Sequence, residues 1–184
     1  MKADATSGAT TTVTFWGLAL LLGFFLFAAS APSPLYGIYA KAWALSPTTV
    51  TTVYAVYAVG ALTALLTTGR LSDHLGRRPV VMIALLIQAT GMFAFILASG
   101  VAWLYVGRVL QGVGTGVATG AVSAWLVDLQ PRDNPRRGSI VTGVALLAGL
   151  GAGALGAGLL VEYAPNPMEL VFWLLIGVTS SGWS

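Results

Sequence analysis

The chain has 184 residues, 57% of them hydrophobic and 8% charged, with a formal net charge of +3 and no cysteine. Soluble domains carry roughly 25% charged residues, so there is too little polar surface here for a water-soluble globule, and lipid is the natural solvent. The missing cysteines exclude a disulfide framework, and a single histidine leaves no zinc ligand set. The bases are confined to short segments rather than spread along a face, which argues against nucleic acid as a partner.

Residues 1–14 are polar and threonine-rich and predict a disordered tail, with a transmembrane helical bundle over 15–184. The run 15–31 is apolar. Ala29-Ser30-Ala31 resembles a leader cleavage site, but the preceding segment has almost no net positive charge, Pro32 follows directly and further apolar spans come after, so a retained first helix is expected. Pro32 and Pro34 end or bend it, and Tyr36, Tyr39 and Trp43 suit a membrane interface. A second span covers 48–68, with Pro47 placed to start it and Ser46 to cap it. Pro79 opens a third span to residue 99, a fourth covers 101–127 and a fifth 139–161. A sixth apolar run, 170–184, is short and ends in Ser-Ser-Gly-Trp-Ser, which suggests a truncated helix. About 20 apolar residues cross the hydrocarbon core, and the first five runs meet or approach this length. The fold expectation is all-α, a polytopic membrane helix bundle of five full transmembrane helices and a short sixth.

Charge orients the bundle. The segments 69–78 and 128–138 hold six lysines and arginines, and the opposite loops hold only Lys41. The positive-inside rule places both arginine-bearing segments and the N-terminus in the cytoplasm of a bacterial-type inner membrane, multi-pass.

The densest charge lies at Gly69-x-Leu71-x-Asp73-x-x-Gly76-Arg77-Arg78, between the second and third spans. Gly69 and Gly76 allow a tight connection with close backbone approach. Asp73 and Arg77 are four apart, so a helical turn would place them on one face as an ion pair. Asp128, ending the fourth span, is a candidate third member reaching Arg77. An exposed pair is worth only about 0–1 kcal/mol, poor for stability and suited to a latch between two states. Otherwise these charges only orient the chain and solvate its loops.

In the fourth span Arg108 is the outlier, since arginine in a membrane helix is costly and normally faces protein or water. Arg108, Gln111, Thr115 and Thr119 fall at i, i+3, i+7 and i+11, a narrow polar stripe that could line a substrate or coupling cavity. The alternative is an arginine that snorkels to the headgroups. Beside the stripe Gly112, Gly116 and Gly120 form a small-xxx-small ridge for close packing. Gly149 and Gly153 in the fifth span form a similar pair. Gly151-x-Gly153-x-x-Gly156 matches a dinucleotide fingerprint formally, but it lies inside an apolar helical span with no preceding strand, so no cofactor is expected. The two tyrosine pairs, Tyr36 with Tyr39 and Tyr54 with Tyr57, are expected mainly as interface anchors, and Gln88 as an interhelical hydrogen bonder. No catalytic constellation is present, so an enzyme is not expected.

The first motif resembles the signature loop of the major facilitator superfamily of secondary transporters. Arg108-x-x-Gln111-Gly112-x-Gly114 resembles that family's second motif, in the expected span and order. The glycine pattern of the fifth span resembles the antiporter motif of the family, with Ala154 in place of proline and Ala157 in place of glycine. The resemblance implies one six-helix half of a two-half transporter that moves a small molecule, coupled to protons, by alternating access. It also implies that Asp73 holds an inward gate against a helix of the other half. A missing C-terminal half or a second copy is then the expected partner, together with the bilayer. The alternative is a non-transporting half-module, or a six-helix protein active only as an assembly.

Overall fold

The computed structural model describes residues 2–131, 134–163 and 175, with the side chains of 2–10 and of Arg70, Leu71 and Asp73 outside the description. Among these described residues six helices follow in order: α1 (Lys2–Ser30), α2 (Tyr36–Ala42), α3 (Pro47–Leu75), α4 (Arg77–Ile96), α5 (Val101–Asp128) and α6 (Arg137–Tyr163). No strand occurs among the described residues. Five of these helices are long and apolar enough to cross a membrane, and α2 is not among them. The sixth apolar run expected over 170–184 lies outside the described residues apart from Leu175.

Two elements differ from expectation. The polar segment 1–14 was expected as a tail, yet α1 runs as one helix from Lys2 into the apolar span. Its threonines are weak helix formers, and the helix extends outward from the apolar run that nucleates it. The connection after Pro32 was expected as a loop, and it contains the two-turn helix α2. At α3 the local chemistry follows the sequence: Pro47 occupies the first turn and the Ser46 hydroxyl accepts from the Thr49 amide at 3.1 Å.

α5 is the hub, packed against α1, α3, α4 and α6, while α6 lies along α1. Glycines set the closeness of these crossings. A methyl at Gly112 or Gly116 would run into the α3 carbonyls of Tyr57 and Ala61, and one at Gly149 or Gly153 into the α1 backbone at Gly23 and Phe27. Gly120, on the same ridge, is less tight, with Thr68 and Leu65 side-chain atoms at 3.5–3.6 Å from a methyl position. Gly91, Gly107 and Gly114 do the same work between α4 and α5, which the spacing did not single out.

Apolar packing falls into two clusters. One joins Phe15, Leu18, Leu22 and Phe25 of α1 to Val80 and Ala84 of α4 and to Val117 through Leu126 of α5. The other joins Ala28, Ala31 and Leu35 to Tyr36, Tyr39, Val53, Met92, Phe95 and Leu104. Between them along α4 and α5 lies a fully buried polar layer of Gln88, Arg108, Gln111 and Thr115.

Candidate functional site

The polar layer is built on α5. Arg108 is 1% exposed and Gln111 fully buried, so Arg108 does not snorkel to a headgroup region. Its Nη1 donates to the Ala29 carbonyl at 2.8 Å and to Gln111 Oε1 at 2.9 Å, and its Nε donates to the Tyr36 hydroxyl. Gln111 Nε2 donates to the Ala28 carbonyl at 2.8 Å. Rings enclose the guanidinium: its carbon lies 5.0 Å from the centre of Tyr36, 5.3 Å from those of Tyr54 and Tyr57, and 6.0 Å from that of Phe95. Such cation–π contacts are worth about 0.5–2 kcal/mol each, the upper end when desolvated. Arg108 Nη2 is buried with no hydrogen-bond partner, and no described carboxylate pairs with the side chain.

The tyrosines therefore do something that their sequence positions did not announce. Tyr36 and Tyr39 are 3% and 2% exposed, inside the bundle rather than anchoring an interface. α2 folds back and lays Tyr36 on Arg108, and the edge of Tyr36 meets Tyr54 at 4.9 Å. Burial pushes the Tyr36 phenol up to about 12, against a smaller opposing pull from Arg108, so it stays neutral across the physiological range. The signal that could have found the cage was three tyrosines on segments flanking the one intramembrane arginine.

Of the rest of the stripe, Thr115 is buried and Thr119 half-buried. Gln88 differs from expectation. It is fully buried beside Gly114, but neither its amide nitrogen nor its oxygen has a hydrogen-bond partner. The cavity of about 820 Å³ between α1 and α6 is not at the stripe, and Trp16, Phe24, Phe27, Val144 and Ala148 are among its apolar walls.

At the arginine-rich end, Arg77 Nε donates to Asp128 Oδ2 at 3.1 Å and Nη1 donates to the Ser72 hydroxyl at 3.0 Å. This brings the α3–α4 connection and the end of α5 to one end of the bundle. Arg137, opening α6, stacks on Phe15 and Trp16 of α1 at 5.3 and 5.7 Å. Gly69 and Asp73 are in the last turns of α3, so most of the segment expected as a loop is helix. Asp73 and Arg77 were expected on one face of a shared helical turn, and they do not share one. The helix stops at Leu75, and Gly76, at φ 88 and ψ 158, turns the chain before Arg77 begins α4. That backbone region is essentially closed to residues with a Cβ. Arg78, next along α4, is exposed. Among the described residues no group of histidine, cysteine and acidic residues could hold a metal ion.

Comparison with known proteins agrees with these features. The sequence model of the Major Facilitator Superfamily matches residues 18–182. Over 93 residues the chain is 42% identical to the class C tetracycline resistance protein of Escherichia coli, covering 47% of this chain and 23% of that protein. The class E protein of the same organism is 39% identical over 92 residues, covering 49% of this chain and 22% of the relative. A triacylglyceride transporter of Mycolicibacterium smegmatis is 31% identical over 113 residues, covering 60% and 20%. The matches thus span about a quarter or less of these relatives. With the family model matching most of this chain, a helical membrane bundle and both arginine motifs in place, the chain belongs to the major facilitator superfamily.

Proposed function

We propose that the chain forms one half-bundle of a secondary active transporter, moving a small organic molecule across a bacterial-type inner membrane by alternating access coupled to protons. Arg108 carries this reading. A desolvated guanidinium with an unpaired Nη2 and no described carboxylate leaves room for one more acceptor, from a bound molecule or from a protonatable group of a second helix set. Breaking or withholding the partner of a buried charge is costly, so such a group is tied to a ligand, a coupled proton or a switching contact. Gln111, Thr115 and Thr119 extend that surface along α5. Gly69, Asp73, Gly76, Arg77, Arg78 and Asp128 form the cytoplasmic gate, with the N-terminus on the same side. The names of the relatives, which include tetracycline resistance proteins, sugar transporters and a triacylglyceride transporter, support a drug or metabolite as cargo without narrowing its class.

Transporters of this kind are built from repeated halves around a site near the midplane. The second wall therefore comes from another six helices or from a second copy of this chain. Proteoliposomes with an imposed pH gradient test the proposal. One set holds the chain alone, and another holds it with the C-terminal half of the class C relative. Gradient-dependent accumulation of a tetracycline-type drug is expected where two halves are present. Gradient-independent leakage in every case, across a panel of drugs and lipophilic metabolites, would reject it.

A further inference from the structure

A helix that ends buried in a packed bundle must re-pair its backbone, because no water reaches the freed groups there. α1 breaks after Ser30, and the missing donors can be traced one at a time. The Ala28 carbonyl would accept from the amide of residue 32, which is proline and has none. The Ala29 carbonyl would accept from Ser33, but that amide turns to Ser30 at 3.0 Å. The Ser30 carbonyl takes it because residue 34, its own helical donor, is also proline. Within α1, two buried carbonyls, of Ala28 and Ala29, are left without backbone donors.

These are the two carbonyls that α5 fills. Gln111 Nε2 lies 2.8 Å from Ala28 O, and Arg108 Nη1 lies 2.8 Å from Ala29 O. The Arg108 to Gln111 bond at 2.9 Å locks the two donors together, and Arg108 Nε reaches past the break to Tyr36 on α2. One guanidinium thus holds both sides of the elbow. We infer that Arg108 and Gln111 are positioning residues for the α1–α2 elbow, standing in for the amides that Pro32 and Pro34 remove. This role is independent of any ligand. It leaves Nη2 as the one guanidinium nitrogen not committed to the elbow, and it ties whatever engages Nη2 mechanically to the position of α2.

The test uses the carbonyl itself. Ala28-Ala29 is the single Ala-Ala pair in the chain, so alanine labelled with ¹³C and ¹⁵N gives one resolvable ¹³C′–¹⁵N correlation for the Ala28 carbonyl by solid-state NMR in lipid. Gln111→Met keeps the length and removes the donor, and the Ala28 carbonyl should move upfield as its hydrogen bond is lost. In Pro32→Leu, residue 32 regains an amide four places after Ala28 without creating a second Ala-Ala pair beside Ala31, and the same Gln111→Met change should then leave the resonance in place. Should Gln111→Met fail to fold, recovery of folding by Pro32→Leu supports the inference, and failure in both backgrounds overturns it. An Ala28 resonance that ignores Gln111→Met in the proline background overturns it too. A transport failure alone changes neither outcome.

Discussion

At the scale of single residues, Arg108 shows what spacing can and cannot reveal. Its burial was legible, because a guanidinium on an apolar helix with Gln111 one turn away has few other places to go. Its cage was not, because Tyr36 reaches it only once α2 folds back over the bundle, and nothing in local periodicity encodes that return. The Gln88 expectation failed for a similar reason: its partners depend on what α5 presents, and α5 presents Gly114. Arg108→Ala should strand the Ala29 carbonyl and remove the cation from its ring cage. Leaving one buried acceptor unsatisfied costs about 1–3 kcal/mol, so a clear fall in thermal unfolding temperature in detergent is expected. Arg108→Lys keeps the charge but lacks the fork that bonds Tyr36, Ala29 and Gln111 together, and should recover only part of that loss. Tyr36→Phe adds a pH signature. The phenol rises from 10.0 to about 12, so it holds its proton where the unfolded chain has lost it. The associated stability is complete below pH 10 and falls away as pH rises towards about 12. Tyr36→Phe should flatten that alkaline limb of the unfolding profile, and an unchanged limb would mean another group produces it.

At the scale of helices, the first five apolar runs were read to within a few residues, because a membrane span needs length and apolarity and little else. The breaks were less legible. Gly76 stops α3 in a backbone region that the sequence shows only as one more glycine. The glycine contacts sort into tight and open sites, which predicts a graded series. Alanine at Gly112, Gly116, Gly149 or Gly153 would meet backbone that cannot move aside, and should reduce monodisperse protein in size-exclusion chromatography. Alanine at Gly143, Gly151 or Gly158, where no atom lies within 4 Å of the added methyl, should be tolerated. It could stabilise by roughly 0.5–1 kcal/mol through helix propensity alone. Gly76→Ala should be worse than any open site, since its conformation rather than its surroundings excludes a side chain. Equal behaviour of the two groups would mean that these crossings are not set by glycine.

At the scale of the whole molecule, the family was legible because two motifs fall in the right spans, whereas the cargo is not legible from one wall of a site. The orientation follows only from charge bias, and reporter fusions after His74 and Asn134 should report cytoplasm, with one after Tyr163 reporting the outside. The gate can be probed through Asp128, because the structure pairs it with Arg77 across two connections of the bundle. Arg77 and Asp128 side chains are 25% and 54% exposed, so the pair is screened and contributes at most about 1 kcal/mol. A latch can shift an equilibrium only by the difference it makes between two states. In a two-half transporter containing this chain, Asp128→Asn should therefore change the ratio of inward-open to outward-open forms by roughly fivefold at most. Intrinsic ligand affinity should hardly move, because the polar layer around Arg108 is left intact. Asp73→Asn should behave similarly if its role is the gate that the motif implies. The chain has no cysteine, so single cysteines introduced at either mouth can be labelled from each side without background. Altered labelling with preserved affinity would fit a latch, whereas lost affinity with unchanged labelling would place these carboxylates in the binding path.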